Sequence, residues 1–264
     1  MKPPMAYSGG KQNIAAMIVA LMPPHLHYVE PYAGGLSVLF AKKPSHIETI
    51  NDLDQDIMTF WRVLRDDPEG LERMCALTPH SRALLDQVRH EQGGTDVEKA
   101  WRVWVKITQS RGARTDTSSG WRFVHGTNRH SLSRYLHGYV ARIAPAAERL
   151  SLVSLECRPA LDVITAYDKP EALFYVDPPY LGETRHGTQY AVEMTDEKSH
   201  RNLLDMLAGC RGNVMLSGYR STLYDKMLTD WTRVDLKGSC MTGATRTESL
   251  WINYTPPMVE EALL

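Results

Sequence analysis

The stretch Ala172-Leu173-Phe174-Tyr175-Val176-Asp177-Pro178-Pro179-Tyr180 decides the fold of this chain. Its first five residues are apolar, aromatic or β-branched, and a rigid turn follows them, which is typical of a buried central strand in an α/β sheet. Sheets of this kind bind ligands at the carboxyl ends of their strands. Neither proline donates a backbone hydrogen bond, so the chain leaves the strand as a stiff, extended turn whose carbonyl oxygens can accept hydrogen bonds. We therefore expect a binding site at Asp177 to Tyr180.

This turn carries the groups that recognise a planar exocyclic amine. The Asp177 carboxylate and the Pro178 carbonyl offer two acceptors for the two N–H bonds, and the Tyr180 ring offers a face for stacking. The alternative is a strand that ends in a rigid Asp-Pro turn, with the tyrosine as an ordinary packing residue. The rest of the chain bears on the choice between these two interpretations.

Length and composition are those of an ordinary globular protein. The chain has 264 residues, of which 43% are hydrophobic and 23% charged, enough for one sizeable α/β domain with an insertion. The most apolar N-terminal stretch, Ile14 to Met22, is too short to span a bilayer and lacks a cleavage pattern after it, so an intracellular, cytoplasmic protein without a membrane segment is expected. The four cysteines are far apart and form no C-x-x-C pair, which signals neither a zinc site nor a disulfide framework. Nothing in the sequence requires a metal.

Strand and helix patterns alternate along the chain, with one interruption. Such alternation predicts an α/β fold with a parallel sheet covered by helices on both faces. From residue 66 to residue 150 the strand patterns vanish and helical ones take over, which predicts a mostly helical insertion into a catalytic domain formed by residues 1–65 and 151–264. The predicted strands are 26–31, 47–51, 152–155, 173–176, 214–217, 233–236 and 249–254, and the predicted helices outside the insertion are 36–42, 57–65, 160–167, 196–208 and 221–228.

The insertion concentrates positive charge. The formal net charge of the chain is only −1, yet residues 101–150 carry nine lysines and arginines against Asp116 and Glu148. An arginine-rich block in a near-neutral protein is typical of a surface on which a polyanion docks. The alternative for any one arginine is a solvated helix face, where it pairs with an acid. Trp101 and Trp104 lie on a helical pattern and are predicted to be core residues rather than stacking platforms.

Three further features precede the insertion. Glu30-Pro31-Tyr32-Ala33-Gly34-Gly35 follows the first predicted strand and opens a helix, where glycines let the backbone approach a ligand closely. Asp52, at the end of the next strand, lies 18 residues after Gly34, the spacing at which an acid reaches a ribose hydroxyl pair in dinucleotide folds. The pyrophosphate-cradling G-x-G-x-x-G pattern is absent, which suggests an adenosyl group without phosphates. Tyr7-Ser8-Gly9-Gly10-Lys11 places a ring and an ammonium on a tight turn, for which a solvated lysine is the alternative.

Taken in order, these motifs resemble the Dam-type family of DNA adenine-N6 methyltransferases. The resemblance extends from about residue 5 to residue 255 and includes phrases shared with phage and prophage members: Asn51-Asp52-Leu53-Asp54, Arg158-Pro159-Ala160-Leu161 and Arg246-Thr247-Glu248-Ser249-Leu250-Trp251. It implies a Rossmann-like methyltransferase sheet and S-adenosylmethionine as the methyl donor. The implied cofactor contacts are Tyr7, Lys11, Glu30, Gly34, Asp52 and Asp177. The segment Arg158 to Asp162 is expected to line the same pocket, and Cys157-Arg158-Pro159 departs from the aromatic residue that members often carry there.

The resemblance also implies that the insertion is a target-recognition domain, with double-stranded DNA as the partner. No obligatory protein partner is evident from the sequence. The loop Gln109 to Phe123 falls where the family has a hairpin that touches DNA. The predicted DNA contacts are Arg111, Arg114, Arg122 and Arg129, with phosphates as the favoured partners over guanine edges. No recognition word follows from the sequence.

The implied reaction is methyl transfer to N6 of an adenine flipped out of the duplex. Asp177 and the carbonyl of Pro178 would accept the two N6 hydrogens, Pro179 belongs to the same catalytic turn, and Tyr180 would stack on the base. Cytosine-N4 methylation uses the same amine geometry and stays open, as does a catalytically silent DNA-binding homologue. Methylation of RNA or of a protein glutamine amide is a further alternative. A dinucleotide oxidoreductase is disfavoured by the missing phosphate-loop glycines.

Overall fold

The computed structural model describes residues 1–113, 119–123, 131–181, 194–239 and 245–257. Its strands are β1 His27–Glu30, β2 Ile47–Asn51, β3 Val153–Glu156, β4 Ala172–Val176, β5 Asn213–Gly218, β6 Thr232–Ser239 and β7 Thr245–Ile252. Its helices are α1 Ala15–Ala20, α2 Ser37–Ala41, α3 Gln55–Asp66, α4 Pro68–Ala76, α5 Arg82–His90, α6 Asp96–Gln109, α7 Leu132–Val140, α8 Ile143–Leu150, α9 Ala160–Tyr167, α10 Glu197–Ala208 and α11 Thr222–Met227. The strands form one sheet in the order β3-β2-β1-β4-β5-β7-β6.

The predicted central strand is confirmed as β4. It lies between β1 and β5, is parallel to both, and has all of its residues buried. Its side chains alternate between two hydrophobic cores, with Leu173 and Tyr175 in one and Phe174 and Val176 in the other. A strand that is buried on both faces has an unbroken apolar sequence, and this is the pattern that identified β4.

The sheet is mixed, which corrects the expectation of a wholly parallel sheet. β7 runs antiparallel to both β5 and β6, whereas the other neighbouring pairs are parallel. β6 ends at Ser239 and β7 begins at Thr245. A connection this short cannot carry the chain back to the starting end of the sheet, as a parallel pair requires. The first half of β7 therefore lies near the edge at which the parallel strands end.

Helices cover both faces of the sheet, as predicted. On one face α9, α10 and α11 pack around Val163, Leu203 and Leu223. The other core contains residues of α1, α2 and α3, such as Ile18 and Phe40. With both faces covered, ligands can approach the sheet only at its strand ends or edges, which agrees with a site at the carboxyl ends of the strands.

The segment between α3 and β3 is helical, as predicted, and its described residues contain α4 to α8. Helix α6 begins with a capping box. In it the Thr95 and Glu98 side chains each accept a hydrogen bond from the backbone N–H of the other residue. Trp104 is fully buried, and the Trp101 indole N–H donates to the Thr78 hydroxyl at 2.7 Å. Both tryptophans are structural residues, in agreement with the sequence analysis.

No helix in the described part of the chain is long and apolar enough to cross a membrane. Cys75, Cys157 and Cys210 are free thiols, and Cys240 lies outside the described residues. Among the described ranges, no group of three or more His, Cys, Asp or Glu side chains is placed to hold a metal ion.

Candidate active site

The Asp-Pro-Pro-Tyr turn begins directly after β4, at the carboxyl edge of the sheet. The Lys11 ammonium donates to both carboxylate oxygens of Asp177, with N···O distances of 2.9 and 2.7 Å, and also to the carbonyl of Gly9. Burial raises the pKa of Asp177, while the Lys11 ammonium opposes that rise. The predicted N-terminal turn thus lies against the predicted catalytic turn, although 166 positions separate Lys11 from Asp177.

Tyr180 belongs to the same group of side chains and is mostly buried. Its hydroxyl lies 2.6 Å from Oε1 of Glu248 and 3.3 Å from Oδ1 of Asp177. A phenol has one proton to donate, and the shorter distance assigns it to Glu248. The Tyr180 ring meets Tyr219 edge to face, with centroids 4.5 Å apart, and Lys11 Nζ lies 5.1 Å from the Tyr180 centroid. We call Lys11, Asp177, Tyr180 and Glu248 the Lys11 cluster.

Glu248 is the member of the Lys11 cluster to which the sequence analysis assigned no role. Its Oε1 accepts a second hydrogen bond from the Ser217 hydroxyl at 2.7 Å and lies 3.8 Å from Lys11 Nζ. Burial raises the pKa of Glu248, and Lys11 opposes that rise. The sequence phrase 246–251 had marked this segment. Only the reversed direction of β7 brings Glu248 to the carboxyl edge of the sheet, and the expected parallel sheet did not predict that direction.

The glycine pair of the motif after β1 is explained by a contact within the protein. Gly34 has a φ of +43°, which favours glycine, and a Cβ placed there would lie 2.8 Å from the Tyr7 ring. A Cβ on Gly35 would lie 2.6 Å from Cβ of Tyr7. The close approach predicted at this motif is therefore made in part by Tyr7. Tyr7 belongs to a turn in which the backbone N–H of Gly10 donates to the Tyr7 carbonyl at 3.0 Å.

Asp52 is held rigidly after β2. Its Oδ2 accepts from the backbone N–H of Gly34 at 2.9 Å, and its Oδ1 accepts from that of Asp54 at 3.0 Å. Burial raises the pKa of Asp52 to about 6, against the effect of these two hydrogen bonds. The neighbouring Asn51 amide bridges the carbonyls of Pro31 and Arg158 at 2.9 and 3.0 Å, which ties the loops after β1 and β3 together.

Two adjoining cavities open at this edge and share Tyr32, Asp52 and Pro179. The first brings together all six predicted cofactor residues; its lining includes Tyr7, Lys11, Glu30, Gly34, Asp52, Tyr175 and Asp177. The second is largely apolar and is lined by residues that include Pro31, Leu53, Pro159, Ala160, Leu161, Met194 and Leu203. Part of the expected segment Arg158 to Asp162 thus lines the second cavity, through Pro159, Ala160 and Leu161.

The first cavity also contains buried polar groups suited to a polar ligand. Burial raises the pKa of Glu30 to about 8, so its carboxyl group is neutral at neutral pH and accepts from the Tyr28 hydroxyl at 2.9 Å. The Tyr175 hydroxyl is buried near Ser217 but forms no hydrogen bond of ordinary geometry within the described residues. Buried hydroxyls are rarely left in this state, so Tyr175 is a candidate to bind a ligand.

The base of the predicted hairpin is present in the insertion. Ser110 and Trp121 pair antiparallel, the Arg111 N–H donates to Gly120 and the Arg122 N–H donates to Gln109, both at 2.8 Å. The Trp121 ring stacks on His80, with centroids 4.3 Å apart, and the Arg82 guanidinium lies 5.0 Å from the Trp121 centroid. The sequence does not predict the contacts of His80 and Arg82 with Trp121, because these residues and the hairpin meet only in the tertiary fold.

Of the four residues predicted to contact DNA, the structure describes Arg111 and Arg122. Arg111 is exposed, and its guanidinium lies 5.7 Å from the Phe123 ring. Arg122 is half-buried with its guanidinium 4.6 Å from the Tyr135 ring, so it is less open to a phosphate than predicted. Arg114 and Arg129 lie outside the described residues.

A sheet whose carboxyl edge has adjoining polar and apolar cavities, with Asp52 shared between them and the turn Asp177 to Tyr180 beside them, fits the class of methyltransferases that use S-adenosylmethionine. The chain belongs to the D12 class N6 adenine-specific DNA methyltransferase family, whose model matches residues 7–112 and 121–238. It is an S-adenosylmethionine-dependent DNA N6-adenine methyltransferase, which confirms the predicted family, reaction and cofactor.

Two individual proteins are similar to the chain. The chain is similar to the type II methyltransferase M1.LlaDCHI of Lactococcus lactis subsp. cremoris, with 26% identity over 266 residues that cover 92% of this chain and 90% of the relative. Among solved structures it is similar to an S-adenosylmethionine-dependent methyltransferase from Agrobacterium tumefaciens, with 10% identity and a TM-score of 0.37. That match covers 91% of this chain and 59% of the Agrobacterium protein, so the chain spans about three fifths of the length of that structure.

Proposed function

We propose that this methyltransferase holds S-adenosylmethionine across the two adjoining cavities and methylates N6 of an adenine flipped out of duplex DNA. The observation that carries the proposal is the position of the catalytic turn. Pro179 lines both cavities and Asp177 lines the first, so the amine-binding groups border the cofactor pocket. The cofactor supplies an electrophilic methyl group on a sulfonium when it is bound.

The residues present fit the parts of this cofactor. Leu53 and Leu161 of the apolar cavity would hold the adenine ring, and Leu53 is 46% exposed beside that cavity. Asp52, at the junction, would accept hydrogen bonds from the ribose hydroxyls. The buried hydroxyl of Tyr175 and the carboxyl of Glu30 would bind the methionyl end.

The charge of the first cavity supports a cationic cofactor. Four acids line it, Glu30, Asp52, Asp54 and Asp177, and Lys11 is the basic side chain in its described lining. Even with the Glu30 carboxyl neutral, the other three acids outnumber the single ammonium, which favours a ligand that carries a sulfonium. A positive ligand would also lower the pKa of Glu30 from its value of about 8.

The affinity for S-adenosylmethionine is expected to fall as the pH drops below the Asp52 pKa of about 6. The ionised carboxylate can accept from both ribose hydroxyls, whereas the protonated acid must donate its own proton. The contribution of Asp52 to the affinity is therefore full above this pKa and falls below it, by up to about tenfold per pH unit. Isothermal titration calorimetry across this range checks the profile. The Asp52→Asn variant should lose this part of the pH dependence, and an identical profile in wild type and variant would contradict the role of Asp52.

Recognition of the amine would use the turn after β4. The Asp177 carboxylate and the Pro178 carbonyl would accept the two N6 hydrogens and so hold the nitrogen in a fixed orientation. Asp177 does not deprotonate the neutral amine beforehand, because its pKa, although raised by burial, lies far below what that step demands. It stabilises the positive charge that develops on N6 during transfer.

Capture of the flipped base would use the Tyr180 ring. Extrusion of a paired base costs a few kcal/mol, and stacking on an aromatic ring recovers about 1–3 kcal/mol. The Tyr180 hydroxyl is bound to Glu248, so the orientation of the ring is set before DNA binds. This preorganisation supports the stacking role.

Recognition of DNA would fall to the insertion. In this proposal residues 66–150 form the target-recognition domain, while residues 1–65 and 151–264 form the catalytic domain. The nine basic residues between positions 101 and 150 supply positive charge, and the exposed Arg111 at the base of the hairpin is available for a phosphate.

Arg111→Ala is expected to weaken DNA binding and leave the affinity for S-adenosylmethionine unchanged. Loss of one phosphate contact reduces the slope of log K against log salt concentration by about 0.9. Fluorescence anisotropy of a labelled duplex over a salt series measures that slope. Arg62→Ala is the matched control, since Arg62 is already paired with Asp96 at 2.7 Å. Equal slopes for the wild type and Arg111→Ala would contradict the contact.

The similarity to a type II methyltransferase suggests that the protein methylates a short, defined word, as part of a restriction-modification system. Single-molecule sequencing of initially unmethylated plasmid DNA after treatment with the protein would map every modified position. We expect one recurring word. Modification scattered over adenines in unrelated contexts would contradict site-specific recognition.

A further inference from the structure

We propose that Glu248 is a positioning residue for methyl transfer. Its carboxylate accepts the hydrogen bond of the Tyr180 hydroxyl and thereby leaves an acceptor site of Asp177 available to the amine. The inference rests on the proposed roles of Asp177 and Tyr180. It assigns a function to a side chain on β7, outside the motifs that carry those roles.

Two hydroxyl groups and one ammonium surround Oε1 of Glu248. Oε1 lies 2.6 Å from the Tyr180 hydroxyl and 2.7 Å from the Ser217 hydroxyl, with Lys11 Nζ at 3.8 Å. Oε1 has two lone-pair sites and can accept from both hydroxyls, and the nearby Lys11 ammonium favours the ionised carboxylate against burial, which raises the pKa of Glu248. The carboxylate is almost completely enclosed, with a side chain only 10% exposed.

The acceptor sites of Asp177 explain why this arrangement matters. Lys11 donates to both oxygens of Asp177, which leaves about one lone-pair site on each. The Tyr180 hydroxyl lies 3.3 Å from Oδ1 and is near enough to take the remaining site there. The Tyr180 hydroxyl donates instead to Glu248 Oε1, at the shorter distance of 2.6 Å. The remaining acceptor site on Oδ1 of Asp177 therefore stays open for an N6 hydrogen.

The charged and titratable groups around Glu248 fit this division of roles. Lys11 is shared by two carboxylates, closer to Asp177 at 2.7 Å than to Glu248 at 3.8 Å. Tyr175 of β4 lies near both acids, and its hydroxyl is neutral because burial raises its pKa well above the ordinary value. In this arrangement Lys11 fixes Asp177, and Glu248 fixes Tyr180.

The test is a double-mutant cycle on Glu248 and Tyr180, read as the single-turnover rate with saturating cofactor and DNA. Glu248→Ala releases the Tyr180 hydroxyl toward Asp177, and we expect the rate to fall about 100-fold, comparable to loss of one preorganised polar contact. Tyr180→Phe keeps the stacking ring and removes the competing proton. Glu248→Ala/Tyr180→Phe should therefore react at least about tenfold faster than Glu248→Ala alone.

This rescue separates positioning from a merely structural role, because two independent losses of stability would add rather than cancel. Glu248→Gln keeps an acceptor for Tyr180 and should retain more activity than Glu248→Ala. If Glu248→Ala does not fold, the comparison is made between Glu248→Gln and Glu248→Gln/Tyr180→Phe. Because the glutamine still accepts the Tyr180 hydrogen bond, adding Tyr180→Phe should not raise the rate. Tyr254→Phe, which removes a hydroxyl bonded to the Leu21 carbonyl at 3.0 Å, is the matched control with an unchanged rate.

Calorimetry with S-adenosylmethionine and 2-aminopurine fluorescence at the target base show whether each variant binds cofactor and captures the base. Additive losses in the cycle, rescue in the Glu248→Gln background, or a Glu248→Ala rate equal to the wild type would overturn the inference. Absence of transfer by the wild-type protein would instead overturn the proposed function on which it rests.

Discussion

Asp177→Asn is expected to reduce the single-turnover rate of methyl transfer about 1,000-fold or more, equivalent to about 4 kcal/mol of transition-state stabilisation. The asparagine has the same shape but loses the negative charge, and one of its two polar atoms becomes a donor that faces the N6 hydrogens. It also leaves the Lys11 ammonium without the carboxylate that it binds at 2.7 Å. The rate is measured with labelled cofactor and a duplex substrate in excess.

Asp225→Asn is a suitable control for the Asp177 variant. Asp225 pairs with Arg220 at 2.8 Å on the surface, away from both cavities, so its substitution should leave the rate unchanged. Near-normal turnover by Asp177→Asn, in protein that binds cofactor and DNA as the wild type does, would refute the assignment of the catalytic turn.

Asp52→Ala is expected to weaken binding of S-adenosylmethionine by about 100-fold or more, because two hydrogen bonds to a charged acceptor are lost at about 1.5–3 kcal/mol each. The change also releases the backbone N–H groups of Gly34 and Asp54 that the carboxylate now holds at 2.9 and 3.0 Å. DNA affinity should stay near the wild-type value, since the insertion is untouched. Calorimetry with cofactor and anisotropy with DNA measure the two quantities separately.

Asp67→Ala is the matched control for Asp52→Ala. Asp67 also accepts a backbone N–H, that of Gly70 at 3.0 Å, but it caps α4 and lines neither cavity. Its loss should lower stability by about 1 kcal/mol without a change in cofactor affinity. If Asp67→Ala and Asp52→Ala weakened cofactor binding equally, the effect at Asp52 would be one of general stability and the ribose contact would be refuted.

The parts of the site that lie at the ends of parallel strands could be predicted from the sequence. Asp52 follows β2 and Asp177 follows β4, and parallel strands end at one edge, so their meeting at one pocket follows from strand order alone. The chain segments of β2 and α9 were predicted with their observed bounds, because their apolar patterns are clear and their neighbours are turn residues.

The remaining parts depend on pairings between segments distant in the sequence. Glu248 reaches the site because β7 inserts antiparallel between β5 and β6, a choice that its apolar pattern does not encode. The contact of Tyr7 with Gly34 and Gly35 is likewise tertiary. The local sequence pattern predicts whether a segment forms a strand or a helix, whereas packing sets the direction of a strand and its neighbours in the sheet.

The central claim is that this chain methylates the exocyclic amine of adenine in DNA. The most direct test is incubation of unmethylated duplex DNA with isotopically labelled S-adenosylmethionine and the wild-type protein, followed by enzymatic digestion and mass spectrometry of the nucleosides. The account predicts label in N6-methyldeoxyadenosine, and none when Asp177→Asn replaces the wild type. Label in N4-methyldeoxycytidine, or no labelled nucleoside from protein that binds both cofactor and DNA, would contradict it.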